Sequence, residues 1–495
     1  MIGNIIKKEI LDNLLSHKFL FIFILCSLLI LFSVYIGAAD YIESKREYDA
    51  NVSALRERMQ PPATIALFSQ REGYSIYREP QVLRTVVVGV EDAAGRVTYP
   101  AQLYENNLSE SKHENNTIFT LFGSLDLMFV VKFILSLCAM FLAYDAVSGE
   151  KERGTLKLTL SNSVSRNQLI SGKIIGNYAS LLLLFLVPLI MSLIVLLLFP
   201  GITLNGEDWL RLLFIFLLFL LYISVFFALG IFVSAMTARA STSFLVLLFL
   251  WIALVIVIPG MSTIVAEQIR PIPETGRLAR EKALFQTEIS SEINAETNKK
   301  MQEIPQSYTQ ILNELRETLR DVNFEKFLEE ITKINAEIAA EQSKLRGAAA
   351  QEITEKTIAN NALIDRDYQL KKDSQQSLAK NISRISPVAS LTFGSMTLAR
   401  TGVDEYDRYI AATRTYRQAY SKWNTNNPDF TVDPQTRIPR QIDESVIQTI
   451  PQLPFRPESL GELLKRTLAD FALMATMTIV FIVGAFFAFF RYDVR

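Results

Sequence analysis

Two cysteines, two histidines and three tryptophans are spread through 495 residues, and no stretch reads G-x-x-x-x-G-K-[ST]. Each scarcity excludes something. Cys26 and Cys138 both fall inside apolar runs, so the polar parts of the chain carry no thiols and no disulfide framework. His17 and His113 have no Cys or His neighbour at ligand spacing, so no metal site is expected. Without a glycine-rich phosphate cradle the chain has no means of its own to hold ATP. Lys+Arg (50) and Asp+Glu (51) almost cancel, which removes the basic footprint a nucleic-acid partner would need. No nucleophile-elbow motif occurs, and the many carboxylates of the later polar block lie in helical charge runs that read as solvated faces, so no catalytic residue is assigned.

Long apolar runs are what the chain has in quantity. Half of the residues are hydrophobic. Six runs, at 19–36, 125–144, 174–198, 212–233, 244–261 and 471–490, reach or approach the roughly 20 apolar residues that a bilayer-spanning helix requires. The fold class is therefore an α-helical polytopic membrane protein. It is expected to have six transmembrane helices, an N-terminal interfacial helix over residues 1–18 and two extracytoplasmic blocks, 38–124 and 262–470. A polar lead of about 18 residues is long for the n-region of a signal peptide, so the first run is read as a retained anchor. Lys7, Lys8 and Lys18 precede the first run, Lys151, Arg153, Lys157, Arg166 and Lys173 follow the second, and Arg491 and Arg495 follow the last. The positive-inside rule then places both termini in the cytoplasm, with the plasma (inner) membrane as the location.

Within the second run, Lys132 sits about halfway along and Asp126 near the outer end. Charge at such depth marks an ion pathway, or a lysine whose stem lets its ammonium snorkel to the surface; both readings stay open. Spans otherwise free of charge favour an amphipathic or lipid-like cargo over a hydrophilic ion. Ahead of the first run, Ile2, Ile5, Ile6, Ile10, Leu14 and Leu15 recur at helical spacing, which predicts a helix lying in the membrane interface.

The most informative segment is the loop 145–173 between the second and third runs. Gly149 and Gly154 bracket the charged Glu150-Lys151-Glu152-Arg153, so the second helix is expected to leave the membrane and break there, while Ser165 and Gln168 form an S-x-x-Q start for the next helix. A short capped elbow exposing both charge signs suits docking into a partner. A solvated positive-inside loop would also carry this charge.

In the first polar block, Thr85–Val90 and Arg96–Tyr99 predict a small hairpin. In the second, Tyr308, Leu312, Leu315, Leu319 and Val322 follow coiled-coil spacing, with Gly347 as the turn of a helical hairpin over about 275–385. Tyr406, Tyr409, Tyr416 and Tyr420, interleaved with Arg408, Arg414 and Arg417, suit a lipid-headgroup surface.

The run E-K-E-R-G-T-L at 150–156, with V-S-R at 164–166 and G-K at 172–173, resembles the signature of ABC-2 type (type V exporter fold) permeases. The S-P…R-T-G…Y-R pattern within 386–417 is similar to the branch of that family with a large extracytoplasmic insert. One departure is Ser161-Asn162-Ser163, where family members usually carry a proline. The resemblance implies a permease subunit that exports a substrate, pairs with a second permease chain within membrane lipid, and draws on ATP bound by separate cytoplasmic subunits. It implies that Glu150, Arg153, Gly154 and Thr155, with Arg166 and Lys173 anchoring the re-entry, couple the chain to those subunits. A mechanical alternative has the same motion move the external hairpin against an envelope partner with nothing transported.

Overall fold

Among the described residues, six helices are long and apolar enough to cross a bilayer, spanning His17–Arg58, Leu127–Glu152, Arg166–Leu198, Gly206–Met236, Ala240–Ile269 and Leu460–Phe490. The structure is a computed structural model in which residues 2–58, 75–99, 125–161, 165–319, 324–426 and 449–492 are described. In chain order the elements are α1 (Ile2–Leu14), α2 (His17–Arg58), β1 (Ile76–Tyr77), β2 (Val97–Thr98), α3 (Leu127–Phe129), α4 (Ser136–Ala143), α5 (Ser148–Glu152), α6 (Thr155–Ser161), α7 (Arg166–Leu198) and α8 (Gly206–Met236). After these come α9 (Ala240–Ile252), α10 (Ile258–Ile269), α11 (Thr275–Ser307), α12 (Thr309–Leu319), α13 (Phe324–Ser383), α14 (Pro387–Ala399), α15 (Val403–Asn426) and α16 (Leu460–Phe490). The chain divides into two units, one of Met1–Gly260 with Ser383–Arg495 and one of Met261–Ile382.

In the first unit α8 is the central helix. It is apolar on every side, as a helix enclosed by others must be, and Leu218, Phe219, Tyr222, Phe226 and Ile231 are all buried. It packs on α4, α14 and α16. Small residues let these helices approach. A Cβ at Gly230 would stand 2.6 Å from the Ala143 Cβ, and one at Gly394 would stand 2.7 Å from the Leu218 Cδ2.

Two π-helical turns interrupt the spans, at Val130–Leu135 between α3 and α4 and at Ala253–Val257 between α9 and α10. The same repair is made in each. Ser136 N–H reaches back five residues to Val131 O and bypasses Lys132 O, which accepts instead from the hydroxyls of Ser136 at 2.7 Å and Tyr222 at 2.8 Å. Ile258 N–H reaches back to Ala253 O and bypasses Leu254 O, which accepts from the Ser386 hydroxyl. In hydrocarbon an unpaired carbonyl is costly, so the hydroxyls hold each bulge in register.

Residues 387–399 depart from the expectation of a continuous external block over 262–470. Ser386 caps α14 by accepting from Val388 N–H at 3.1 Å, Pro387 opens it, and Val388, Leu391, Leu398 and Ala399 are buried against α8 and α16. The segment is too short to span a bilayer but apolar enough to wedge into the bundle. Arg400 ends it in the left-handed region at φ 58°, and Val90 N–H donates to Thr401 O at 2.9 Å. Gly89, at φ 62°, leaves room for that contact, since a Cβ there would stand 2.3 Å from Thr401 O.

The hairpin expected at Thr85–Val90 and Arg96–Tyr99 forms elsewhere. Antiparallel β1 and β2 pair Ile76 with Thr98 and Tyr77 with Val97, while Val82–Thr85 is a 3-10 turn. Val86, Val87 and Val88 are buried consecutively, a pattern that a half-exposed strand does not give. Arg84, 1% exposed, is held by Asp40 at 2.5 Å, Asp92 at 2.6 Å and the Ser44 hydroxyl at 3.2 Å. Burial pushes the neighbouring Glu91 carboxyl up from its ordinary value against the pull of Arg84 and Arg78. The tyrosines expected at a headgroup surface are core instead. Tyr409, Tyr416 and Tyr420 share one face of α15 and are buried, Tyr409 meets Phe455 at 5.0 Å, and Arg417 donates to Thr98 Oγ1 at 2.8 Å.

In the second unit α11 and α13 run antiparallel. Lys282 pairs with Asp365 at 2.6 Å, Ile289 and Ile293 pack with Ala349 and Ile353, and Gln342 donates to Met301 O at 3.4 Å. Partners of α11 lie on both sides of Gly347 along α13, so Gly347 is not the turn. It lies inside the 60-residue α13, where Ala348 to Ala350 favour helix and one glycine costs only about 1 kcal/mol. Leu312 and Leu315 are half-buried; the Leu319 side chain and Val322 lie outside the described residues.

Two substitutions read this packing in opposite directions. Gly347→Ala, with nothing within 4 Å of its Cβ, is expected to stabilise by about 0.5–1 kcal/mol. Gly394→Leu, forced against Leu218, is expected to cost about 1–3 kcal/mol. Thermal unfolding of the solubilised protein measures both.

Candidate functional site

The elbow after the second span is built from helix ends. α4 stops at Ala143, and Ser234 on α8 catches the break, accepting from Val147 N–H at 3.1 Å and Ser148 N–H at 3.0 Å. The five-residue α5 follows and ends at Gly154, whose φ of 74° turns the chain into α6. Ser165 then caps α7, its hydroxyl accepting from Gln168 N–H at 3.3 Å.

Each charge of α5 has its own destination. Lys151 Nζ donates to Ala235 O and, at 3.2 Å, to Thr237 O, at the C-terminal end of α8. The Glu152 carboxylate accepts from Ala240 N–H at 2.9 Å, at the N-terminal end of α9. A cation on carbonyls and an anion on an amide match the two helix dipoles. Arg166 does the same for α16, donating to Phe490 O at 2.9 Å and Tyr492 O at 3.0 Å.

Beneath the elbow lies a buried ion triad. Lys173 on α7, 2% exposed, donates to the Glu9 carboxylate at 2.8 Å and the Glu150 carboxylate at 2.7 Å. One turn further along, Asn177 donates to Glu9 at 3.2 Å and accepts from Asn13 at 2.8 Å. Glycines bring α1 this close. A Cβ at Gly172 would stand 2.7 Å from Ile5 Cγ2, and one at Gly176 2.6 Å from Glu9 Cβ and 3.1 Å from Ile6 O. The interfacial helix is therefore docked on α7, with α5 joined to both.

Of the six residues read from sequence, Glu150 and Lys173 meet each other, Lys173 fully buried and Glu150 partly exposed. Arg166 secures α16. Arg153, Gly154 and Thr155 are exposed together at the apex, where Arg153 Nε donates back to Gly149 O at 3.2 Å. Of the intramembrane candidates, Asp126 caps α3, accepting from Phe129 N–H at 2.8 Å and Val88 N–H at 3.0 Å, and Lys132 sits in the first π turn. Glu9 and Asn177 were missed. Glu9 carried a readable signal, since it follows Ile2, Ile5 and Ile6 on the apolar stripe of α1, where a carboxylate needs a buried cation.

A family model described as ABC-2 family transporter protein matches residues 3–494. The chain belongs to the ABC-2 family of transporter proteins. Two curated relatives share shorter stretches, both described as probable ABC transporter permease protein NosY. The one from Pseudomonas aeruginosa is 49% identical over 45 residues, 9% of this chain and 16% of the relative. The one from Stutzerimonas stutzeri is 38% identical over 78 residues, 16% of this chain and 28% of the relative. The chain thus aligns with less than a third of either relative's length. As an ABC-2 family member it is a membrane subunit of an ABC transporter.

Removing the triad's cation tests the docking. Lys173→Met leaves two carboxylates facing each other without a counter-ion, and a loss of about 3–5 kcal/mol is expected. The lower unfolding temperature should come with faster proteolysis within α1. Unchanged values for both would show that the triad does not hold α1.

Proposed function

We propose that this ABC-2 family member is an exporter permease driven by separate cytoplasmic ATP-binding subunits, which press on the exposed Arg153-Gly154-Thr155 apex. The supporting observation is the division of labour in the elbow. The apex is open, whereas the adjoining Glu150, Lys151 and Glu152 are tied to α1, α7, α8 and α9. Force on such an apex reaches several spans at once through paired charges, which resist being pulled apart. Nucleotide binding by the partner then shifts the population between two arrangements of the bundle without chemistry in this chain.

In this reading both termini and the elbow face the cytoplasm and the membrane is the plasma (inner) membrane. A second permease chain completes the pathway.

Purification of the tagged chain in mild detergent is expected to bring down a P-loop ATPase. Arg153→Glu should release that subunit or separate its ATP hydrolysis from the permease, while leaving the unfolding temperature within about 0.5 kcal/mol of stability, as for exposed sites generally. Absence of any ATPase from the purified complex would overturn the proposal.

A further inference from the structure

Over 19–36, 127–143, 174–198, 212–236, 240–266 and 471–490, the apolar bodies of the six spans, one charged side chain occurs: Lys132. Its depth follows from its neighbour. Tyr222, which donates to Lys132 O, is the seventeenth of the 31 residues of α8, so Lys132 is within about a turn of the middle of the bundle's longest enclosed helix. Along its own span it is the sixth residue from Leu127, about 8 Å of helix from that end.

Among the described residues no carboxylate lies within ion-pair distance of Lys132. Asp126, the nearest acid along the span, serves two backbone amides and attracts Lys132 only from beyond contact distance. The ammonium rests instead over the Phe133 ring, 4.9 Å from its centroid, and the residue is partly exposed. Phe133 in turn meets Trp251 edge-on at 6.5 Å, and Trp251 Nε1–H donates to Ser136 Oγ at 2.9 Å. Ser136 is the residue whose hydroxyl repairs the first π turn, and Trp251 stands two residues before the second. The two bulges are thus joined across α4 and α9 around one ammonium that makes no contact ion pair with a described residue. A bulge re-aims side chains at the expense of helix geometry, and an ammonium without a contact counter-ion within a span is costly. Both expenses are explained by a ligand that brings the missing negative charge.

We infer that Lys132, its ammonium placed by the Phe133 ring, holds the anionic head of an amphiphile, a carboxylate or phosphate carrying an acyl chain, as the cargo of this permease. The inference rests on the permease reading for the word cargo, but the binding itself does not need the ATPase. The acyl chain has apolar surface beside it, because Phe249, Ile252, Ile256 and Val257 are exposed along α9 and the second π turn.

The test uses the full chain in a neutral detergent and reads energy transfer from tryptophan to a parinaroyl chain. Four probes are compared: cis-parinaric acid, its methyl ester, and parinaroyl-labelled phosphatidic acid and phosphatidylcholine. At least one anionic probe is expected to bind about tenfold tighter than its neutral counterpart, and Lys132→Met should remove that preference. Lys132→Arg should keep it, which separates loss of charge from loss of fold. The acid binding alone would point to a soluble amphiphile and the phosphatidic acid alone to a membrane lipid. Equal binding of charged and neutral probes, or a preference that survives Lys132→Met, overturns the inference. Because no ATPase is present, this failure is distinct from failure of the permease reading, which the copurification decides.

Discussion

A buried ammonium shared between two carboxylates organises one end of this bundle. Lys173 can stay charged inside the protein only because Glu9 and Glu150 reach it together, and they can reach it only if α1 lies along α7 and α5 folds back beside them. Three segments far apart in sequence are thereby given one relative arrangement. Coulombic attraction between well-placed groups, away from water, is strong enough to specify that arrangement but expensive to break from one side. Such an element suits a part that must move as a body. The same groups explain why the charged loop is short, since every additional unpaired charge there would have to be solvated or matched.

The neighbouring contacts extend this logic from charges to helix ends. Lys151, Glu152 and Arg166 occupy the termini of α8, α9 and α16, where backbone groups lack intrahelical partners. Ser234 performs that office for the broken second span. Deeper in the bundle the π turns pose the same problem, a carbonyl without its amide, and hydroxyls of Ser136, Tyr222 and Ser386 answer it. The Ser-Pro that opens α14 therefore has a double task, capping its own helix and closing a gap in another. Through Thr401 the same segment engages the loop at Gly89, so the pattern that resembled a family motif is also a structural joint.

Some of this was legible before the fold was known. The six apolar runs and their helical nature follow from composition alone, because a bilayer-length apolar run has few other ways to satisfy its backbone. Gly154 marked a turn and Ser165 a helix start for reasons confined to a few neighbouring residues, whereas the first break, between Ala143 and Ser148, precedes Gly149 and is held by Ser234. Local reasoning failed where a residue's environment came from elsewhere in the chain. Gly347 looked like a turn, but its helix is held by partners on α11. Tyr409, Tyr416 and Tyr420 looked interfacial, but all three are buried, Tyr409 against Phe455 and Leu453. Thr85–Val90 looked like a strand, and its three consecutive buried valines needed surroundings drawn from distant parts of the chain, among them α2, α8 and Asp126.

The amino-acid sequence by itself determined the class of the protein, the number of its spans and the residue types at its elbow, since hydrophobic length and backbone satisfaction act over a single helix. Tertiary structure decided which charges are spent and which are offered. Glu150 and Arg153 are three residues apart and equally polar, yet one closes a triad with Glu9 and Lys173 while the other stands at the apex. Lys132 is likewise one lysine among many until its surroundings show that, among the described residues, no acid comes within ion-pair distance. Electrostatic pairing depends on distance in space, and only the folded chain sets those distances.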